Sequence, residues 1–123
     1  MAEHYFSKEP AAQHDYKEIE LVFEGERFHF MTDAGVFSRA GLDEGSELML
    51  RASLGRMSGA VLDLGCGWGP VGIITARLCP ACRVTLLDIN ARACRTAEEN
   101  AWRNQVSVRV LCQDGLENIG ARF

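Results

Sequence analysis

The chemistry of this chain is concentrated in residues 60–72, Ala-Val-Leu-Asp-Leu-Gly-Cys-Gly-Trp-Gly-Pro-Val-Gly. A short apolar run ends at an acid, Asp63, and Gly65, Gly67 and Gly69 alternate behind it. Glycine tolerates positive φ and lets the backbone approach a ligand closely. A helix opening just beyond, with Pro70 at its start, would add free N–H groups and a positive dipole end. Two patterns share these residues. Gly67 to Gly72 satisfies G-x-G-x-x-G, the dinucleotide fingerprint, and Asp63 to Gly69 satisfies D-x-G-x-G-x-G. Asp63 favours the second, because a carboxylate suits a ligand amino group and repels a pyrophosphate. A tight turn without a ligand is the plainer alternative, against which stands the chain entropy lost by three alternating glycines. Asp88 closes the next apolar run, 19 residues after Gly69. At that spacing an acid takes the two hydroxyls of a ribose. Asp114 stands at the end of a third such run.

These acids need a parallel sheet to carry them. Ala60–Leu64, Arg83–Asp88 and Ser107–Asp114 read as buried strands. Helices from Val71 to about Leu78 and from Asn90 to about Asn104 would connect them. Asp63, Asp88 and Asp114 then line the carboxyl edge, where open α/β sheets bind ligands. Three carboxylates there could also hold a divalent cation; their spread over successive strands fits adenosine recognition better, and no metal is assigned.

Upstream, Ile19–Phe23 and Arg27–Met31 flank Glu24-Gly25-Glu26 and predict a β-hairpin. Ile19, Leu21 and Phe23 share one face, as do Phe28 and Phe30. Asp43 and Ser46 offer N-cap oxygens for a helix to about Leu54. Residues 1–18 show no period and read as a loop or extended arm. His4 and His14 there lack a cysteine or carboxylate at ligand spacing, so they are read as ordinary histidines. Cys79 and Cys82 form C-x-x-C, but after a helix and before a strand. A redox pair sits at a helix N-terminus, so an ordinary turn is expected here. The tail from Leu116 to Phe123 has no firm pattern.

The chain has 123 residues, 47% apolar and 24% charged, the balance of a small soluble domain. No apolar run approaches the ~20 residues of a membrane span. The first residues lack a basic stretch followed by an apolar one, so no signal peptide is read. Five cysteines without a regular framework fit a reducing, cytoplasmic setting. Net charge is −4 and unevenly placed: residues 1–60 carry 6 basic and 11 acidic side chains, residues 61–123 carry 7 and 6. This is not the basic footprint of a nucleic-acid binder.

Beyond these readings, the chain resembles the methyltransferase small-domain family, which includes bacterial rRNA guanine-N2 methyltransferases. The resemblance is carried by His4-Tyr5-Phe6-Ser7 with Pro10, Thr32 to Ser38, Asp43 to Ser46, Asp63 to Gly72, Asp88 to Ala93 and Glu99-Asn100-Ala101. It implies an α/β, Rossmann-like fold that binds S-adenosylmethionine (SAM). By the resemblance, Gly65 and Gly67 would meet the methionine part of SAM and Asp63 its amino group. Asp88 would hold the ribose, Ile89 would lie beside the adenine and Asp114 would accept from the adenine amine. Val36 and Phe37 would cover the cofactor. Residues 1–58 would form an arm, hairpin and helix, and residues 59–123 the first half of the SAM-binding sheet.

The family's catalytic Asn-Pro-Pro is absent; the only prolines are Pro10, Pro70 and Pro80. The catalytic residues are therefore unknown, and the stretch looks like the N-terminal part of a longer enzyme, inactive on its own. An rRNA guanine amine is the implied acceptor of the full enzyme. Protein glutamine, a small molecule, or a non-catalytic SAM-binding or dimerisation role are the alternatives. The resemblance also implies a fourth strand beside the first, and without it the bare edge invites self-association.

Overall fold

The computed structural model describes residues 16–32, 42–117, 119, 120, 122 and 123. The His4 to Pro10 block, His14, Val36 and Phe37 lie outside them. The first two strands are β1 (Lys17–Phe23) and β2 (Glu26–Thr32), antiparallel, with Ile19 opposite Phe30 and Leu21 opposite Phe28. Glu24 and Gly25 both take positive φ, 51° and 79°, which makes the two-residue turn whose twist matches a hairpin. Alternation sends Phe23, Phe28 and Phe30 into the core.

Helix α1 (Glu44–Ser53) begins at Asp43, which accepts from the Ser46 N–H at 3.2 Å and the Ser46 hydroxyl at 2.7 Å. Ser46 is thus the capped residue, not a second cap. A 3-10 turn (Leu54–Arg56) leads to β3 (Gly59–Leu64). Then follow α2 (Pro70–Leu78), β4 (Cys82–Asp88), α3 (Ala91–Arg103) and β5 (Arg109–Cys112). The three later strands are parallel in the order β3-β4-β5. Both connections step the same way, so right-handed crossovers place α2 and α3 on one face.

β5 is shorter than its sequence suggests. Its last residue, Cys112, pairs with Asp88, the last of β4, and no strand continues beyond to pair with Asp114. One more backbone bond, Gln113 N–H to the Asp88 carbonyl at 3.0 Å, closes the pairing. Asp114 therefore lies two residues past the strand.

The hairpin docks on α3 through an unusual ladder. The backbone groups of His29 and Met31 meet side-chain amides instead of a third strand. Asn100 Oδ1 accepts from Met31 N–H at 2.7 Å, and Asn100 Nδ2 donates to the Met31 carbonyl at 2.9 Å. Asn104 repeats the pattern on His29, both bonds at 2.9 Å. The spacing explains the fit: four helical residues rise about 6 Å and two strand residues about 6.7 Å. The ladder also covers an edge that would otherwise recruit another chain.

One apolar cluster joins the hairpin, the helices and the sheet: Phe23, Phe28, Phe30, Trp68, Ile73, Leu86 and Ala97 all belong to it. Around its rim, hairpin acids meet arginines from each helix: Glu24 with Arg51, Glu26 with Arg77 and Glu18 with Arg103. Such exposed pairs are each worth under about 1 kcal/mol. The guanidinium stems add packing, with Arg51 4.7 Å over the Phe23 ring and Arg77 5.0 Å over Phe28.

At the far end of the sheet, Cys79 and Cys82 are joined as a disulfide across the α2–β4 turn. The ordinary turn expected from the sequence is thus stapled, because the three-residue separation brings their Cα atoms to 5.5 Å. β3 is an edge strand among the described residues.

Candidate functional site

The carboxyl ends of β3 and β4 build the site together. β3 reaches Leu64, and the chain then bends sharply over the end of β4. Gly65 and Cys66 both donate their N–H to the Leu87 carbonyl, at 2.8 and 3.0 Å. Gly65, Gly67 and Gly69 carry φ of 73°, 58° and 98°, so glycine is required at each by conformation. A Cβ at Gly65 would meet nothing within 4 Å, so space is open beside that bend. Gly69 is crowded instead: a Cβ there would lie 3.2 Å from Ala97 Cβ. It is the residue before α2, which Pro70 starts.

Asp88 and Asp63 hold this turn from below. Asp88 Oδ2 accepts from Gly67 N–H at 2.9 Å, and its Oδ1 accepts from Asn90 N–H at the same distance. Asp63 Oδ2 accepts from Gly72 N–H, in the first turn of α2, at 3.0 Å. A carboxylate offers about four lone-pair sites, so each acid keeps acceptor capacity after these bonds.

Burial pushes the Asp63 carboxyl up to about 6, the Gly72 N–H opposes that, and the charge of Asp88 adds to it. A raised pKa means that the folded chain binds the proton better than the unfolded chain does. Stability therefore falls as pH rises from 3.8 through about 6, and the whole cost is present above that. At about 1.36 kcal/mol per pH unit, the cost at neutral pH is on the order of 3 kcal/mol. Asp63→Asn keeps an acceptor for Gly72 and removes the charge. The variant should be more stable than the parent by about 1–2 kcal/mol at pH 7.5, with the gap closing toward pH 4. Denaturant titrations at the two pH values measure this, and a gap that widens on acidification would contradict it.

Two thiols lie close by and do no acid–base work. Burial pushes the Cys66 thiol far up, and Cys94 rises to about 12 for the same reason, aided by Cys112. Neither supplies a thiolate at neutral pH.

Of the residues singled out in the sequence, the structure brings Asp63, Gly65, Gly67 and Asp88 into one hydrogen-bonded unit. Ile89 follows directly and is 67% exposed, an apolar surface facing solvent at the same edge. Asp114 is exposed beyond β5, next to Gln113, whose N–H donates to the Asp88 carbonyl. Among the described residues, no three His, Cys, Asp or Glu side chains are placed to hold a metal ion. No described helix is long and apolar enough to cross a membrane.

The sequence reading missed the role of Asn100. Its Nδ2 also donates to the Trp68 carbonyl at 2.8 Å, within the glycine turn. The partners stand 32 and 69 positions away in the chain, so no local pattern announces them.

Comparison with known proteins bears on the family and the fold. The methyltransferase small domain family matches residues 27–123. An uncharacterised Bacillus subtilis protein, YbxB, is 31% identical over 97% of the chain and 60% of its own length. The ribosomal RNA small subunit methyltransferase C of Hamiltonella defensa is 44% identical over 72% of the chain, but only 26% of the relative is covered. The chain thus spans less than two thirds of the length of either relative. In fold it is similar to a T. thermophilus 16S rRNA N2 G1207 methyltransferase solved with AdoMet and guanosine. The TM-score is 0.69 at 19% identity, over 86% of this chain and 34% of that one. A Pyrococcus abyssi tRNA (uracil-54, C5)-methyltransferase in complex with S-adenosyl-L-homocysteine gives 0.64 at 20% identity, covering 84% and 25%. The match over residues 27–123 shows that the chain belongs to the methyltransferase small domain family.

Proposed function

We propose that this chain is the SAM-binding portion of an N-methyltransferase whose acceptor is the exocyclic amine of an rRNA guanine. The observation that carries the reading is the pair of acids beneath the glycine turn, each anchored to a turn or helix N–H with lone pairs to spare. These residues fit SAM by their donor set. The open side of Gly65 admits the methionine part, and the Asp63 carboxylate suits its ammonium group. Asp88 takes the ribose hydroxyls with the lone pairs left by Gly67 and Asn90. Ile89 offers the adenine an apolar face, and Asp114 accepts from the adenine amine. Val36 and Phe37 are proposed to cover the cofactor.

When bound, SAM supplies an electrophilic methyl group for transfer to a nitrogen. This chain's own residues bind and orient, which is where most of the advantage of such a transfer arises. A cationic ammonium beside Asp63 stabilises the ionised carboxylate, so SAM affinity should rise with pH through about 6. The acceptor reading rests on the rRNA methyltransferases among the relatives and on the N2 methyltransferase fold. The open edge of β3 fits a further strand or self-association.

Isothermal titration with SAM and S-adenosylhomocysteine, with NADH as competitor, tests the cofactor. Binding of both adenosyl ligands without displacement by NADH is expected. Displacement of SAM by NADH would favour the dinucleotide pattern and sink the proposal.

A further inference from the structure

We propose that Asn100 is a positioning residue for the glycine turn, locking the Trp68 carbonyl to the edge of β2 and so fixing the backbone that meets the cofactor. The second half of this statement rests on the SAM reading of the turn. The carboxamide is 0% exposed and makes three bonds: to the Trp68 carbonyl at 2.8 Å, to the Met31 carbonyl at 2.9 Å and from the Met31 N–H at 2.7 Å. Its orientation is fixed by those partners, since the nitrogen faces two carbonyls and the oxygen faces an N–H. Only a primary amide supplies two donors and an acceptor in one short planar group. Aspartate lacks the donors, serine has one, and glutamine is a methylene too long for a buried slot.

Trp68 is flanked by Gly67 and Gly69, both at positive φ, so its peptide units have unusual freedom. They are held twice, once from β2 and once from α3. The Trp68 ring, 1% exposed, packs edge-on to Phe30 with centroids 5.0 Å apart, and the Trp68 carbonyl is held by Asn100. Asn104 provides an internal control. It clamps His29 with the same two-bond pattern, is 2% exposed, and among the described residues its side chain bonds only His29 and the Asn100 carbonyl.

The experiment compares Asn100→Ser with Asn104→Ser in a Trp102→Phe background, which leaves Trp68 as the sole tryptophan. Both variants should melt at lower temperature than the parent. At a temperature where both are folded, Asn100→Ser alone should weaken S-adenosylhomocysteine by tenfold or more, and it alone should shift the Trp68 emission. Equal losses of affinity in the two variants, or parental affinity and emission in folded Asn100→Ser, would overturn the proposal. If Asn100→Ser does not fold, hydrogen exchange on the unsubstituted chain decides. S-adenosylhomocysteine should slow the Met31 amide more than the His29 amide, and equal or absent protection refutes the coupling. A parent that binds no adenosyl ligand defeats the SAM reading instead, while the emission comparison still reports whether Asn100 holds the turn.

Discussion

Asp88→Ala should weaken SAM binding by roughly 1.5–3 kcal/mol, on the order of a ten- to hundredfold loss in affinity. Hydrogen bonds to a charged acceptor are the strong ones, and in the proposed reading Asp88, at the carboxyl end of β4, makes them with a ribose. The same carboxylate anchors Gly67 and Asn90, so the substitution acts a second time by releasing the turn and the start of α3. The two effects separate experimentally. Release of the turn lowers the melting temperature without ligand, whereas loss of the ribose contact appears as lost affinity in molecules that remain folded. Titration calorimetry well below the variant's melting point reads the second. Unchanged affinity there would remove Asp88 from the site.

Gly72→Ala should destabilise the chain by about 1–3 kcal/mol, although alanine is the better helix former by about 1 kcal/mol. Gly72 lies in the first turn of α2 at an ordinary helical φ, so the backbone does not demand glycine. Space does. A Cβ at this position would fall inside the Leu86 side chain, which is 0% exposed, so Leu86 would have to repack within the core. It would also lie 3.2 Å from Asp63 Oδ2, the oxygen that accepts the Gly72 N–H. Overpacking a rigid core costs about 1–3 kcal/mol before the lost hydrogen bond is counted, which outweighs the helix gain. Urea unfolding measures the sign directly. A stabilised variant would mean that α2 can move off the sheet, contrary to the packing described.

What the sequence disclosed follows from the range of the interactions involved. The hairpin was legible because alternation and a short glycine-bearing loop are local properties. The turn is one residue shorter than the expected Glu24-Gly25-Glu26, since Glu26 joins β2, and Glu24 takes a positive φ that of the two turn residues only Gly25 favours. The glycine turn was legible for the same reason: positive φ at Gly65, Gly67 and Gly69 leaves a signature within a few residues. Asn90 capping α3 through the Ala93 N–H is local too. The failures are non-local. β5 stops at Cys112 because its neighbour stops at Asp88, a fact written in another strand. Asn100 and Asn104 appear in sequence as polar interruptions of a helix, and only the arrival of β2 gives their amides a purpose. The Cys79–Cys82 staple depended on how tightly the turn between α2 and β4 folds back. Trp68, met in a ligand-binding motif, proves to be a core residue resting on Phe30.

The site divides along the same line. Asp63 and Asp88 were identifiable from their positions after apolar runs. That each already holds an N–H of the turn or of α2 was not, and this double duty explains how two acids are kept close together beneath a bend of glycines. The raised pKa of Asp63 reflects burial first and the charge of Asp88 as a smaller addition.

The most direct measurement is a crystal structure of the chain with S-adenosylhomocysteine. The account predicts the ribose hydroxyls on Asp88, the ammonium group on Asp63 and the homocysteine backbone over Gly65. Electron density for the ligand away from the carboxyl ends of β3 and β4 would contradict it.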